Sequence, residues 1–478
     1  MIRCSIISLI FFAPAVVGAQ AAFDRTKVPV LPPAPALVLP AVATARLANG
    51  ISLQLVSQRE VPLVQVTLLI SGGSRLDAAE PGLASFTARM LTESAGGKDV
   101  NALQNELAFL GATLVSSAGW DGFFVALNVP KRSLGAALDL MADVVQRPAF
   151  TSADVRRQKS LRAAGILQRR DQPNALASLA YSSLIFPAGH PYHASTDGDS
   201  ASTARLDSAT VRRFYEQAIT PSRAKFIVAG DISVAEATEL LGARFGTWTS
   251  SASPMPVPAI TTQPVTNASV QLFMIDKPGA AQSVISIGGP GVPRSSSDYP
   301  ALVVMNTLLG ESFSSRLNAN LRETKGYTYG ISSRFGWSPV PGAFRISSGV
   351  RTDVTDSSLV EIFRELRRMQ DAPADAVELG RAKAYVALAI PGNFETNSQI
   401  VGQLVELETF GLPLSSVSQF ISRVNAVTAA DVKRVARKYL PANRATIVVV
   451  GDLTKIRAGI EALKLGSITV LEATAVAK

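Results

Sequence analysis

The pattern of hydrophobic and polar positions predicts a mixed chain of strands and helices. Alternating runs from Ile51 (ISLQLVSQ) and Leu63 (LVQVTLLISGG) predict two strands, and FFVALNVP from Phe123 predicts another. Apolar residues at helical spacing predict helices from about Gly82 and Val100. Strand hairpins beside grouped helices favour an α+β fold, with a sheet and a helical layer in each of two homologous domains.

The end of each half of the chain has the same order of elements. ATVRRFYEQAITPSRAKFIVAGDIS from Ala209 and ADVKRVARKYLPANRATIVVVGDLT from Ala430 each contain an amphipathic helix, a Pro-containing turn, an arginine, an apolar strand and Gly-Asp. Arg223 and Arg444 are 221 positions apart (444 − 223), and the glycines that end the strands share this offset. The shared offset indicates an internal duplication.

Pro-rich stretches near the start and the middle of the chain indicate the boundaries of its two domains. We expect a signal peptide over 1–21, a Pro-rich lead-in over 22–45, an N-terminal domain over 46–250, a linker over 251–266, a C-terminal domain over 267–460 and a tail over 461–478.

The first residues have the features of a secretory signal peptide. Arg3 precedes an apolar run, and Ala-Gln-Ala at 19–21 is a small-residue cleavage site. An uncleaved membrane anchor is the alternative, but the run is shorter than the roughly 20 residues that span a bilayer and contains Pro14. We therefore predict a periplasmic protein with no membrane span after cleavage.

The composition argues against several kinds of site and partner. Cys4 is the only cysteine and would leave with the signal peptide, so the mature chain would have no disulfide and no thiolate site. The net charge is +9, but the basic residues are scattered and no nucleic-acid motif accompanies them. We expect no nucleic-acid partner.

Five motifs follow one another along the chain: LANGISLQLV, GGSRLDAAEPGLASFTARML, HPYH, LLGESFSSRLNANLRETKGYTYG and the two Gly-Asp strand ends. Together they resemble the insulinase/pitrilysin family of zinc peptidases, the inverzincins, and specifically its shorter two-domain members that work as dimers. The resemblance covers nearly the whole chain after about Arg46. It implies two homologous domains that form half of a clam-shell chamber.

An active member of this family carries His-x-x-Glu-His on the helix that here starts near Gly82. The two histidines hold zinc, and the glutamate is the general base for the attacking water. The resemblance places Ser85, Ala88 and Arg89 at these positions. None of these side chains can hold zinc, and the permanent positive charge of Arg89 would repel it.

The third zinc ligand of the family is a glutamate, for which this chain has Gly165, 76 residues beyond Arg89 (165 − 89). Gln158 stands at an accompanying acidic position. A register shifted by one residue would place Ala164 or Ile166 there, and neither can coordinate a metal. We therefore expect no metal or other cofactor in this chain, and zinc in a partner subunit.

Other chemistry has little support in the sequence. His190 and His193 in AGHPYHAS lack an obvious third metal ligand, and no Gly-x-Ser-x-Gly motif accompanies them. We interpret them as structural. The glycines of SIGGPGVP lack the Gly-Lys-Ser/Thr end of a phosphate loop, so a turn after a strand is the favoured interpretation.

The resemblance implies a retained function in the second domain. Family members use an arginine and a tyrosine seven residues apart to hold the substrate and the tetrahedral intermediate over zinc. LRETKGYTYG places Arg322 and Tyr329 at that spacing (329 − 322), with Tyr327 as a substitute for the tyrosine. The alternative is that Arg322 ends a helix and Tyr329 packs in a strand.

The resemblance therefore implies a chain that has lost the zinc ligands and retained the Arg/Tyr pair, a combination typical of the non-catalytic subunit of a heterodimeric zinc endopeptidase. We expect a homologous zinc-bearing partner, peptide substrates, and no metallopeptidase activity of this chain alone. The alternative is a binding or scaffold protein that has the peptidase fold and no role in proteolysis.

Overall fold

The computed structural model describes residues 38–250 and 252–476. The predicted signal peptide, most of the predicted lead-in and the first residue of the predicted linker lie outside the described residues. The remainder contains two six-stranded sheets with helices, which confirms the predicted α+β fold.

The first sheet is built from the N-terminal half. Its strands are β1 (Ala43–Arg46), β2 (Ser52–Ser57), β3 (Leu63–Ser71), β4 (Thr113–Ala118), β5 (Gly122–Pro130) and β6 (Ala224–Gly230). They lie in the order β1-β2-β6-β3-β5-β4. Strand β6 pairs parallel with β2 and antiparallel with β3, so the last strand of the half is inserted at the centre of the sheet.

The second sheet repeats this arrangement. Its strands are β7 (Gln271–Asp276), β8 (Gln282–Pro290), β9 (Thr328–Phe335), β10 (Ala343–Arg351), β11 (Thr446–Gly451) and β12 (Ser467–Leu471). The order is β12-β7-β11-β8-β10-β9, and β11 pairs parallel with β7 and antiparallel with β8. Five strands thus have the same arrangement in both halves, as an internal duplication requires.

The two sheets differ only in their sixth strand. In the first sheet β1 pairs antiparallel with β2, and it begins three residues before the expected start of the N-terminal domain. In the second sheet β12 pairs parallel with β7 and comes from the segment expected to be a tail. Its sequence, SITVL, alternates polar and apolar residues over most of its five positions, and its pairing with β7 establishes that this segment is a strand.

The α-helices of the first half are α1 (Leu83–Met90), α2 (Val100–Phe109), α3 (Leu134–Gln146), α4 (Ser152–Arg169), α5 (Pro173–Ile185), α6 (Ser200–Arg205), α7 (Ser208–Ala218) and α8 (Val234–Phe245). Those of the second half are α9 (Tyr299–Asn306), α10 (Thr355–Asp371), α11 (Ala376–Ala389), α12 (Asn397–Phe410), α13 (Ser415–Ala426), α14 (Ala429–Tyr439), α15 (Leu453–Ala462) and α16 (Ala473–Val476). In the described part of the chain, no helix has the length and hydropathy needed to cross a membrane.

Each sheet has its own hydrophobic core on the face covered by its own helices. In the first half Leu68 and Phe226 of the sheet and Phe86 of α1 are buried in one cluster. In the second half Ile346 of the sheet and Leu366 of α10 belong to the corresponding cluster. Burial of these apolar surfaces is the main stabilising contribution to each half.

The opposite face of each sheet is covered by a helix from the other half. Helix α5 packs on β8 and β11 through residues such as Leu176 and Tyr181, whose hydroxyl donates to the carbonyl of Phe344. Helix α12 packs on β3 and β6, where Leu404 and Ile227 share one buried cluster. This exchange of helices joins the described residues 38–250 and 252–476 into one compact unit.

Candidate functional site

Helix α1 carries three of the positions that the resemblance assigns to zinc binding, and the start of this helix is tightly packed. Asp77 accepts hydrogen bonds from the backbone nitrogens of Gly82 and Ala84 at 2.9 and 2.6 Å. Gly82 has a φ of 88°, and a Cβ there would lie 2.6 Å from the backbone of Asp197. Only glycine fits this position without strain.

Burial raises the pKa of Asp77 to about 7. The two backbone hydrogen bonds and the nearby positive charge of Arg162 lower the pKa, but they do not outweigh desolvation. The group therefore changes charge in the neutral range while it caps the helix.

The three predicted zinc-helix positions have different surroundings. The Ser85 hydroxyl donates to the carbonyl of Thr196 at 2.6 Å. Ala88 is fully buried in the first core, and Arg89 is exposed, with its Nε 3.8 Å from Glu93. Helix α1 therefore keeps a packed inner face and presents a cation at its outer face.

A guanidinium lies against the first of these positions. Arg162 of α4 donates through Nη2 to the Ser85 Oγ at 3.0 Å and through Nη1 to the Gly82 carbonyl at 2.7 Å. Its Cζ lies 4.9 Å from the centre of the Phe86 ring. Burial lowers the pKa of Arg162, yet a guanidinium stays charged in proteins.

The residues at this site do not fit zinc. A serine hydroxyl and a permanent cation stand where a metal would need neutral or anionic donors. Within residues 38–250 and 252–476, no three His, Cys, Asp or Glu side chains lie close enough together to hold a metal ion. No chemical step of this chain can be derived through zinc.

The structure brings Arg89, Gln158 and Gly165 together around one pocket of about 310 Å³. Arg162 and Arg169 also line it, and we call it the arginine pocket. Sequence reasoning did not single out these last two residues. The signal was present, because Gln158, Arg162, Gly165 and Arg169 recur at three- and four-residue intervals on one face of α4.

The two histidines are part of the packing between α5 and the loop that follows it. His190 is buried against Phe186 and accepts a hydrogen bond from the Tyr192 backbone nitrogen at 3.0 Å. Burial lowers the pKa of His190. The Nδ1 of His193 lies 2.7 Å from the carbonyl of Phe186. These contacts support the structural interpretation.

Arg322 lies on a π-helical segment, Asn318–Thr324, that leads towards edge strand β9. Its Cζ lies 4.1 Å from the centre of the Phe313 ring, and its Nη1 lies 3.5 Å from Glu323. Phe313 is itself largely exposed. The aromatic ring and the Glu323 carboxylate hold the partly exposed guanidinium at the surface.

Tyr329 lies in a β-bulge near the start of β9. Ile331 pairs with Ser348 and Thr328 pairs with Val350, so two residues, Tyr329 and Gly330, oppose a single residue of β10. Tyr329 is 91% exposed. Bulges redirect side chains, and the phenol makes no hydrogen bond to another described residue.

The Thr328 hydroxyl holds the bulge in place. It donates to the carbonyl of Gly349 at 2.7 Å and accepts from the backbone nitrogen of Gly330 at 3.0 Å. Tyr327, the substitute for Tyr329, is half-buried, and its backbone is bonded to Leu321 and Arg351. Among the described residues, no hydrogen bond or ring contact joins Arg322 to either tyrosine.

Two family models match the chain over most of its described length. The model described as insulinase (peptidase family M16) matches residues 54–182, which include α1 and most of α4 and α5. The model described as peptidase M16 inactive domain matches residues 205–386, which include Arg322 and Tyr329.

Relatives from bacteria and fungi cover most of the chain. An uncharacterized zinc protease of Mycobacterium tuberculosis is 25% identical over 385 residues, covering 78% of this chain and 85% of its own length. The mitochondrial-processing peptidase subunit beta of Lentinula edodes is 22% identical over 421 residues, covering 84% of this chain and 88% of its own length.

Solved structures share the fold. The peptidase M16 inactive domain from Pseudomonas fluorescens has a TM-score of 0.79 and 28% identity, covering 86% of this chain and 98% of its own. A protease from Helicobacter pylori has a TM-score of 0.79 and 18% identity, covering 86% of this chain and 100% of its own. With both family models matching in order along one duplicated fold, this chain belongs to the insulinase family of peptidases, M16.

Proposed function

We propose that this chain is the non-catalytic subunit of a heterodimeric zinc peptidase, in which a homologous partner subunit holds the zinc. Family membership supports the peptidase fold, and Arg162 at the Ser85 position argues against a metal in this chain. Some of its relatives are named as the beta subunit of the mitochondrial-processing peptidase. These names support the proposal that this chain also works as a subunit.

The observation that carries the proposal is the exposure of Tyr329 in a bulge that Thr328 holds in place. A tyrosine with only a structural role would pack or bond within its own chain. A phenol that points outward can donate a hydrogen bond to the oxygen that becomes negative when water attacks a peptide carbonyl. Arg322 can bind a carbonyl or an acidic side chain of the same substrate.

The proposed substrates are peptides that reach the partner's zinc in an extended conformation. Main-chain hydrogen bonds to a sheet edge give affinity with little dependence on side chains. The proposed location is the periplasm, after removal of residues 1–21 as a signal peptide. The arrangement requires both subunits for hydrolysis.

An affinity pull-down of this protein from its native periplasmic extract tests the assembly. The co-purifying chain is sequenced, and the eluate is assayed for hydrolysis of a flexible peptide with and without a chelator. A homologous partner with His-x-x-Glu-His, and chelator-sensitive activity only in the complex, are expected. Recovery of the protein alone and without hydrolysis would instead favour a binding or scaffold protein.

Variants of the purified complex test the two side chains. We expect Tyr329→Phe and Arg322→Ala each to lower kcat/KM by about 10² or more, because loss of one oxyanion donor typically has that effect. Tyr385→Phe and Arg334→Ala are the matched controls, since they alter an exposed tyrosine of α11 and an exposed arginine of β9. Unchanged turnover in both test variants, in a complex that still assembles, would rule out a shared site.

A further inference from the structure

The arginine pocket has an excess of positive charge. Arg89, Arg162 and Arg169 line it, and Asp197 is the one acidic residue among the lining residues in the described chain. Burial is the main reason that the pKa of Arg162 is lowered; the carboxylates of Asp197 and Asp77 oppose this shift, and repulsion from Arg169 adds to it. Asp197 lies 3.4 Å from the Arg169 Nη1 and offsets part of this charge, but three guanidinium groups around one small volume leave a net positive charge that favours an anion.

Several donors of these arginines are unused. Arg162 donates from Nη1 to the carbonyls of Gly82 and Asp197 and from Nη2 to Ser85, so its Nε and one Nη2 hydrogen have no acceptor among the described residues. The Nε of Arg169 is buried and has no hydrogen-bond partner. The guanidinium of Arg89 makes no hydrogen bond within the described chain, although its Nε lies 3.8 Å from Glu93.

Gln158 is an independent indication of a ligand. It is 7% exposed and lines the pocket, and its amide makes no hydrogen bond to another described residue. Amides in protein interiors are normally hydrogen-bonded, and the Gln158 amide is open to the pocket, where it can bond to a group that enters. Its two N–H donors add to those of the arginines.

We propose that the arginine pocket binds a single oxyanion group, a carboxylate or a phosphate. Guanidinium groups bind such groups through paired hydrogen bonds with fixed geometry, and the unused donors at the pocket provide them. The pocket that would hold a zinc cation in active relatives thus has the opposite electrostatic preference here. The proposal concerns only residues of this chain and is independent of any role in proteolysis.

Isothermal titration calorimetry of the mature full-length protein tests the proposal and identifies the source of the anion. The probes are inorganic phosphate and N-acetylated tetra-alanine, the latter with either a free C-terminal carboxylate or a C-terminal amide. The variants are Arg89→Gln and Arg169→Gln. Arg156→Gln is the control, because this arginine is exposed on the same helix and does not line the pocket.

We expect at least one anionic probe to bind and each test variant to weaken that binding by about tenfold or more, as loss of a charge-assisted hydrogen bond does. Arg156→Gln should bind as the wild type does. Binding of the free acid but not of the amide identifies a peptide carboxylate, and binding of phosphate alone identifies phosphate.

Absence of binding by every anionic probe would overturn the proposal. Equal affinity in the wild type, Arg89→Gln and Arg169→Gln would also overturn it, because the anion would then bind elsewhere. The Arg89 side chain is exposed and makes no hydrogen bond to the described residues, and its 3.8 Å ion pair with Glu93 is at the surface, so its variant gives a clear result even if Arg169→Gln fails to fold.

Discussion

Asp77 is the residue whose charge state matters most to helix α1. It bonds to the first turn of the helix while it is almost completely buried, and desolvation raises its pKa to about 7. The same carboxylate interacts electrostatically with Arg162, which lines the arginine pocket. One buried acid therefore links the cap of α1 to the charge of the pocket.

This pKa gives a pH dependence with a definite sign. In the unfolded chain Asp77 loses its proton near 3.8, whereas the folded protein keeps it to about 7. Because the folded state binds the proton more tightly, the group lowers the free energy of unfolding as pH rises from about 4 to about 7. Above pH 7 its contribution is constant.

We expect Asp77→Asn to remove this part of the pH dependence, which amounts to at most about 4 kcal/mol. Urea denaturation of the wild type and the variant at several pH values between 4 and 8 measures it. Asp371→Asn, which alters an exposed carboxylate, should keep the wild-type slope. Parallel curves for the wild type and Asp77→Asn would show that Asp77 titrates normally in the folded protein.

At the scale of elements, the bulge in β9 determines how Tyr329 is presented. The strand is at the edge of its sheet, and the two-against-one pairing with β10 is held by the Thr328 hydroxyl. That hydroxyl also accepts from the Ser348 Oγ at 2.9 Å. Without these bonds the extra residue would have few interactions to hold it.

We expect Thr328→Val to lower the free energy of unfolding by about 1–2 kcal/mol, because it removes hydrogen bonds and keeps the side-chain shape. In the proposed complex it should also reduce turnover, with Tyr329 itself intact. Thr324→Val is the control, since it removes a single exposed hydrogen bond from the preceding π-helical segment. Full turnover and stability in Thr328→Val would show that the bulge does not depend on this hydroxyl.

At the scale of the whole molecule, the exchange of α5 and α12 makes the two halves depend on each other. Leu404 of α12 is buried against the first sheet, and the Arg345 Nη1 of the second sheet donates to Ser178 of α5 at 2.9 Å. Neither sheet can keep both of its faces covered if the other half unfolds. Unfolding should therefore be cooperative over residues 38–476.

We expect Leu404→Ala to lower the free energy of unfolding by about 2–5 kcal/mol, as large-to-small changes in a core do. Hydrogen exchange in urea should show β6 and β11 losing protection together. Leu388→Ala, at a position that is 61% exposed, should have little effect. Loss of protection in β6 while β11 stays protected would show that the halves unfold separately.

Much of the fold could be predicted because it is encoded in local patterns. The strands from Leu63 and Phe123 alternate with period two, and the shared offset of Arg223 and Arg444 indicates the duplication that the sheet orders confirm. The assignment of Ser85, Ala88 and Arg89 to the zinc-helix positions depends on residue identity at fixed spacing and stays a prediction. The predicted signal peptide, the domain boundaries and the roles of Arg322 and Tyr329 stay predictions.

The sequence by itself determined the family, the mixed fold and the lack of zinc-binding side chains at Ser85, Ala88 and Arg89, since each follows from residue types at short range. Only the tertiary structure decided that Arg162 lies against Ser85 and that Tyr329 lies in a bulge. The structure also decided that α5 covers the sheet of the second half and α12 covers the sheet of the first half. These features join residues far apart in the chain. Local hydrophobic periodicity carries no information about such contacts, because it records which face is buried and not what buries it.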